Sequence, residues 1–172
     1  MSKRIVIDLN NIDKAIQDVQ DYEKEIKRKL GILTERLAEL GAKIAKASFE
    51  NALYAGYNDV EVSVEPVENA NGYKVVAKGQ AVLFIEFGTG ITNPEHPQQG
   101  EIPGIVPHGE YGKKRGKQIK GWVYKGVPGN AGKEIGEGKV HTLGNPPSRS
   151  MYQATKDMQA KVYEIAKEVF SS

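Results

Sequence analysis

Residues 11–56 read NIDKAIQDVQDYEKEIKRKLGILTERLAELGAKIAKASFENALYAG and carry the clearest periodicity of the chain. The apolar positions follow one another in steps of three and four residues: Ile12, Ile16, Val19, Tyr22, Ile26, Leu30, Leu33, Leu37, Leu40, Ile44 and Ala47. This spacing places them on one face of an α-helix. We expect a long amphipathic helix over 11–56 that ends near Gly56, with a bend allowed at Gly31. The stripe predicts packing within a core, and a partner-binding coiled coil is the alternative.

A small antiparallel sheet is predicted in residues 59–90. Valines alternate with polar residues from Val60 to Val64, and the segment from Tyr73 to Lys78 follows Asn71-Gly72, which are residue types that tolerate the positive φ angles of a type I′ turn. Residues 81–87, AVLFIEF, are apolar on both faces apart from Glu86, which predicts a buried central strand. We expect three to four strands, covered by helix on at least one side.

The composition changes after this sheet. Residues 91–147 hold twelve of the nineteen glycines and seven of the eight prolines, which predicts a long inserted loop over 91–141 with one strand-like segment at 121–125. A C-terminal helix is expected over 148–170, capped by Ser148 or Ser150, because apolar positions from Met151 to Val169 again step by three and four. The predicted class is therefore α+β, with a long N-terminal helix and a C-terminal helix packed on the sheet.

Length and charge limit the function classes. The chain has 172 residues, which suits a single domain over 1–172, and 24 basic against 22 acidic side chains leave a net charge of +2. That charge is too small for the field of a dedicated nucleic-acid binder. The absence of cysteine excludes disulfides and thiolate chemistry. We expect a soluble protein without a membrane partner, because no apolar run approaches the roughly 20 residues that span a bilayer and the N-terminus does not resemble a signal peptide.

The sequence contains no recognisable catalytic or cofactor motif. His96, His108 and His141 lack the spacing of a zinc protease, and His108 with Glu110 would make a weak metal site. The segment from Gly112 to Lys117 resembles a phosphate-binding loop only superficially, because no Ser or Thr follows the lysine. We therefore expect no enzyme activity, no cofactor and no metal.

Glu86 is the single charge within the apolar run at 81–87. It could act as a general base, but no acid partner is visible beside it. We favour a structural role, in which its carboxylate accepts hydrogen bonds from amides around Gly88 to Gly90 or pairs with a base.

A basic segment lies within the inserted loop. Six cations occur in thirteen residues without an acid, and aromatic residues flank or interleave them. Basic and aromatic residues together suit nucleic acid, but a solvated loop and a contact with an acidic protein surface rank above that interpretation. The residues proposed to contact DNA or a partner are Lys113, Lys114, Arg115, Lys117, Lys120, Trp122 and Lys125.

Two stretches resemble a known family. Residues 82–90, VLFIEFGTG, resemble the signature that ends the central strand in tail-completion and head-tail joining proteins of long-tailed bacteriophages. Residues 121–124 and 141–154, GWVY and HTLGNPPSRSMYQA, are similar to its second signature, although Pro147 stands where the family usually has Ala and Ser150 where it usually has Phe. The order of elements matches along nearly the whole chain. The motif residues are Glu86, Phe87, Gly88, Thr89, Gly144, Pro146 and Met151.

The resemblance implies a non-enzymatic virion protein of the phage neck. Such a protein is made in the bacterial host cytoplasm and assembles as a ring, with six copies the expected number, at the head-proximal end of the tail. The implied partners are further copies of itself, the tail terminator or tail tube protein, head-closure or connector proteins, and DNA in the channel. The alternative is a small nucleic-acid-binding module that uses residues 111–125.

Overall fold

The computed structural model describes residues 12–88, 113–114, 117–118, 122–142 and 144–171. The elements in chain order are α1 (Ile12–Glu50), β1 (Glu61–Pro66), β2 (Tyr73–Lys78), α2 (Val82–Phe87), β3 (Lys113–Lys114), β4 (Lys117–Gln118), β5 (Trp122–Lys125), β6 (Lys133–Gly136), β7 (Lys139–Thr142) and α3 (Ser150–Ser171). All strand pairs are antiparallel, in the orders β1-β2, β3-β4 and β5-β7-β6. The α+β class is confirmed, but the strands form separate small sheets rather than one sheet of three to four.

The two long helices pack side by side in opposite directions. Ser150, at the start of α3, bonds to Ser48 near the end of α1 with 2.8 Å between the hydroxyl oxygens. Near the end of α3, Glu168 pairs with Arg36 at 3.3 Å, and Phe170 lies below the Lys29 ammonium at 6.0 Å. α3 therefore covers α1 from residue 48 back to residue 29.

Small residues form the contact face of α1. Its buried positions in this half are Ala38, Gly41, Ala45 and Phe49, whereas the leucines of the predicted stripe beside them are half-buried. The centre of the interface is thus shifted by one residue from the apolar stripe. The helix also continues without a break through Gly31.

The C-terminal end of α1 differs from the prediction, because the helix ends at Glu50 rather than near Gly56. The backbone of the next residues bonds to a distant loop instead of continuing the helix. The Asn130 side chain accepts from the Tyr54 amide at 2.6 Å and donates to the Ala52 carbonyl at 2.7 Å, and the Gly129 amide donates to the Ala55 carbonyl at 2.7 Å. These tertiary bonds satisfy backbone groups that a longer helix would have paired internally.

The β1-β2 hairpin confirms the two predicted strands but not their turn. The strands are joined by six residues, 67–72, and Asn69 is the non-glycine residue with positive φ there, at 59°. Asn71 has another role, because its side-chain amide donates to the Lys27 carbonyl on α1. The predicted type I′ turn at Asn71-Gly72 is wrong because this contact with α1 determines where the turn lies.

The predicted central strand at 81–87 is wrong, since these residues form helix α2. Before the helix begins, the Asp59 carboxylate accepts from the amides of Gln80 and Ala81, each at 2.8 Å. Ala81 and Ile85, one helical turn apart, are buried. An apolar run of this length is compatible with both a helix and a strand, and Asp59 favours the helical start.

The segment predicted as a long loop contains described strands. The strand-like segment at 121–125 is confirmed as β5, and β6 and β7 form a second hairpin beside it. Glu137 and Gly138 have φ angles of 53° and 66°, as the tight turn of a hairpin requires. The glycine content of this region therefore supports turns between strands as well as loop.

The core lies between α1, α2, α3 and the β1-β2 hairpin. Its buried apolar members are Ala45, Phe49, Ala52, Ala81, Ile85 and Ala154. Four of the six are alanines, so the backbones of the three helices approach closely at this point.

Candidate functional site

The Glu86 carboxylate holds the first turn of α3. Its two oxygens accept hydrogen bonds from the backbone amides of Met151, at 2.9 Å, and Tyr152, at 3.1 Å. Glu86 is buried, with 6 % of its surface exposed. A carboxylate at the N-terminus of a helix binds amides that have no partner within the helix and interacts favourably with the helix dipole. Glu86 is thus an acceptor of amide hydrogen bonds, but from α3 rather than from residues 88–90.

The serines at this end of α3 have a different role from the predicted cap. The Ser148 and Ser150 hydroxyl oxygens lie 2.7 Å apart, and Ser150 bonds onward to Ser48 of α1. The serine hydroxyls therefore connect the start of α3 to α1, while Glu86 accepts from the helix amides.

The carbonyl end of α2 is bound by the segment that precedes α3. The Asn145 side chain donates to the Phe84 carbonyl at 2.9 Å, and the amides of Ser148 and Arg149 donate to the carbonyls of Ile85 and Glu86 at 2.8 and 3.2 Å. The end of one helix and the start of the next thus satisfy each other. Each of the two family-like stretches supplies one side of this junction.

Gly88 allows the two stretches to approach. Its φ is 74°, and a Cβ there would lie 2.8 Å from both the Asn145 carbonyl oxygen and the Pro147 nitrogen. Gly144 is buried beside the junction and its amide donates to the Thr142 hydroxyl at 3.0 Å. Pro146 is half-buried, and Thr89 lies outside the described residues.

The outer face of α2 is apolar and exposed. Leu83, Phe84 and Phe87 keep 65 %, 52 % and 45 % of their surface exposed. A cavity of about 220 Å³ opens beside Phe84 and is lined further by Tyr54, Ala55, Gly56, Tyr124, Thr142 and Asn145. The resemblance did not single out Leu83 or Phe84, and a helical interpretation of residues 81–87 would have placed both on one outer face.

Two tyrosines fix the wall of this cavity. The Tyr124 hydroxyl donates to the Ala55 carbonyl, and burial raises the pKa of both Tyr54 and Tyr124 above the ordinary value. Both phenols therefore stay protonated at neutral pH and serve as hydrogen-bonding groups rather than bases.

The basic residues of the inserted segment fall into two groups. Lys113, Lys114 and Lys117 belong to the β3-β4 ladder, whereas Arg115 and Lys120 lie outside the described residues. Trp122 begins β5, opposite Thr142, and Lys125 is exposed at its other end, opposite Lys139.

The three-stranded sheet has one buried face and one basic face. Val140 and Thr142 are buried on the inner face. The pairing places Lys125 beside Lys139, and Lys133 beside His141, on the outer face. The basic segment noted in the sequence did not include Lys133 or Lys139, because strand register is what brings them next to Lys125.

The described residues were also searched for other kinds of site. They contain no group of three or more side chains that could hold a metal ion, and none of their helices is long and apolar enough to cross a membrane. Comparison with protein-family models, with curated proteins and with solved structures finds no match.

Proposed function

We propose that this chain is a non-enzymatic structural subunit of the neck of a phage or phage-derived tail. In this proposal it assembles as a ring, with six copies as the expected number, and completes the tail or joins it to the head. It would be made in the bacterial host cytoplasm and would reside in the virion. The family resemblance of residues 82–90 and 141–154 motivates the proposal.

The observation that carries the proposal is the apolar face of α2. Leu83, Phe84 and Phe87 are exposed on a helix of six residues whose two ends are held by Asp59 and by the segment before α3. Large exposed apolar groups mark protein contact surfaces, and a rigid support lowers the entropy lost when a partner binds. In a closed ring such a face meets a different face of the next subunit.

The ring would meet two sets of partners. The tail terminator or tail tube protein would bind one side, and head-closure or connector proteins would bind the other. The basic segment from Lys113 to Lys125 would approach DNA in the channel.

The native mass of variants tests this proposal. We expect the wild-type chain to form a closed ring in native mass spectrometry and negative-stain images, and Phe84→Glu to abolish it, because a carboxylate would be buried in the subunit contact. Thr155→Glu, which adds the same charge on an exposed face of α3, is the control and should assemble normally. Normal assembly of Phe84→Glu would contradict the use of the α2 face.

A nucleic-acid-binding module is the second candidate, favoured by the outer face of the three-stranded sheet with Lys125, Lys133 and Lys139. Under this candidate, DNA affinity falls steeply with salt, and a Lys125→Ala, Lys133→Ala double variant binds more weakly with a shallower salt dependence. A Lys156→Ala, Lys167→Ala double variant on α3 is the matched control. Absence of salt-dependent DNA binding by the wild-type chain would exclude this candidate.

A further inference from the structure

The N-terminal part of α1 extends beyond the elements that pack on the rest of the helix. α3 reaches back to Lys29, and the turn of the β1-β2 hairpin contacts α1 at Lys27. Residues 12–26 lie N-terminal to both contacts and form a helical segment about 22 Å long. Ile12, Ile16 and Val19 keep 44 %, 53 % and 49 % of their surface exposed, and Leu30, at the border, keeps 40 %.

These exposed residues belong to a heptad seam. Positions 12, 16, 19, 23, 26 and 30 follow one another in strict alternation of four and three residues, and all are apolar except Glu23. This spacing forms the contact line of a helix with a second helix. A single polar residue within such a seam lowers stability but selects one alignment of the two helices.

The charges along this segment change sign halfway. Residues 12–21 contain the acids Asp13, Asp18 and Asp21 and the base Lys14, so their net charge is −2. Residues 22–29 contain the bases Lys24, Lys27, Arg28 and Lys29 and the acids Glu23 and Glu25, so their net charge is +2. A parallel copy would bring like charges together, whereas an antiparallel copy brings the acidic half against the basic half.

We propose that residues 12–30 of α1 bind the same segment of a second copy of this chain, in antiparallel orientation about a two-fold axis near residue 21. In this arrangement Ile12 packs against the partner's Leu30, and Ile16 packs against the partner's Ile26. Val19 faces the partner's Glu23, which keeps its 2.5 Å ion pair with Lys27 of its own helix. Beside the seam, Asp13 meets the partner's Lys27.

This pairing does not depend on the proposed function. It joins identical surfaces about a two-fold axis, whereas a ring joins two different surfaces. It also uses the N-terminal part of α1 rather than the face of α2. The two contacts can therefore be removed separately, with Phe84→Glu for the ring and a substitution in α1 for the pair.

Sedimentation velocity of the full-length chain carrying Phe84→Glu tests the pairing. We expect a species of twice the chain mass of 18.9 kDa, which Ile16→Glu converts to the single-chain mass without loss of helical circular dichroism. Gln17→Glu, which adds the same charge to the adjacent and exposed position off the seam, is the matched control and should leave the pair intact. A single-chain mass at all concentrations, or a pair that persists in Ile16→Glu, would overturn the proposal.

Cross-linking then tests the orientation, since the chain has no cysteine of its own. An equimolar mixture of Asp13→Cys and Lys27→Cys proteins should form a disulfide-linked dimer under mild oxidation, while neither variant alone should do so. Gln20→Cys, close to the two-fold axis, should cross-link alone. Cross-linking of Asp13→Cys to itself, with none in the mixture beyond that, would indicate parallel helices and overturn the antiparallel arrangement.

Discussion

At the scale of single residues, Glu86 connects two helices that are distant in sequence. Its carboxylate accepts from two amides of α3 while its own backbone carbonyl accepts from Arg149. Hydrogen bonds to a buried charged group contribute more than neutral ones, because each removed acceptor leaves a desolvated donor. The identity of this residue therefore affects both helices at once.

We predict that Glu86→Ala lowers the free energy of unfolding by about 2–3 kcal/mol, because two helix amides lose their acceptor. Glu86→Gln keeps one acceptor oxygen and should lose roughly 1 kcal/mol. Urea unfolding followed by circular dichroism measures both values. Glu168→Gln removes an exposed ion pair with Arg36 and should change stability by less than about 1 kcal/mol. Equal stabilities for Glu86→Ala and the wild type would contradict the capping role.

Gly88 provides a second test at this scale. We predict that Gly88→Ala destabilises by more than about 2 kcal/mol, because strain at positive φ adds to a collision with the backbone of Asn145 and Pro147. Gly138 also has positive φ, at 66°, but a Cβ there would meet nothing within 4 Å. Gly138→Ala should therefore show the strain alone, about 1 kcal/mol. Equal losses in the two variants, measured by urea unfolding, would argue against close contact at Gly88.

At the scale of elements, α2 depends on a carboxylate outside the helix. Bonds from the amides of Ala81 and Gln80 lower the pKa of Asp59 below the ordinary value. The carboxylate thus stabilises the fold at neutral pH, and this contribution is lost as the pH falls from about 4, the usual aspartate pKa, through the lower pKa of the folded state.

We therefore predict that Asp59→Asn is less stable than the wild type at pH 7 and that the difference shrinks between about pH 4 and pH 2. The asparagine oxygen can accept one of the two amide bonds but carries no charge. Thermal unfolding across this pH range measures the difference. A difference that stays constant down to pH 2 would contradict the role of the Asp59 charge.

The elements also mark what the sequence could predict. α1, α3, β1 and β2 follow from periodicity because each repeats its pattern over a full face. α2 was predicted as a strand because a six-residue apolar run fits either structure, and its cap comes from Asp59, 22 positions before Ala81. The junction at Glu86 depends in the same way on partners 65 and 66 positions away. Local patterns contain no information about such contacts.

At the scale of the whole molecule, α1 contains two regions of different stability. Its buried residues between Ala38 and Phe49 belong to the contact with α2 and α3, whereas the N-terminal part exposes a row of apolar side chains. Regions with few buried contacts open at lower free energy than the core. The helix is therefore continuous in geometry but not uniform in protection.

Hydrogen exchange should reveal this difference and its dependence on pairing. In dilute protein carrying Phe84→Glu, we predict slow amide exchange over 38–49 and exchange at least ten times faster over 12–26, because the first turns lack the cover of α3. Raising the concentration should slow exchange over 12–26 alone, since pairing buries that segment while the core of α1 is unchanged. Ile16→Glu should keep the fast exchange at every concentration. Uniform protection along α1 in the dilute protein would show that its N-terminal part is already covered, and neither the exposed seam nor its pairing could then stand.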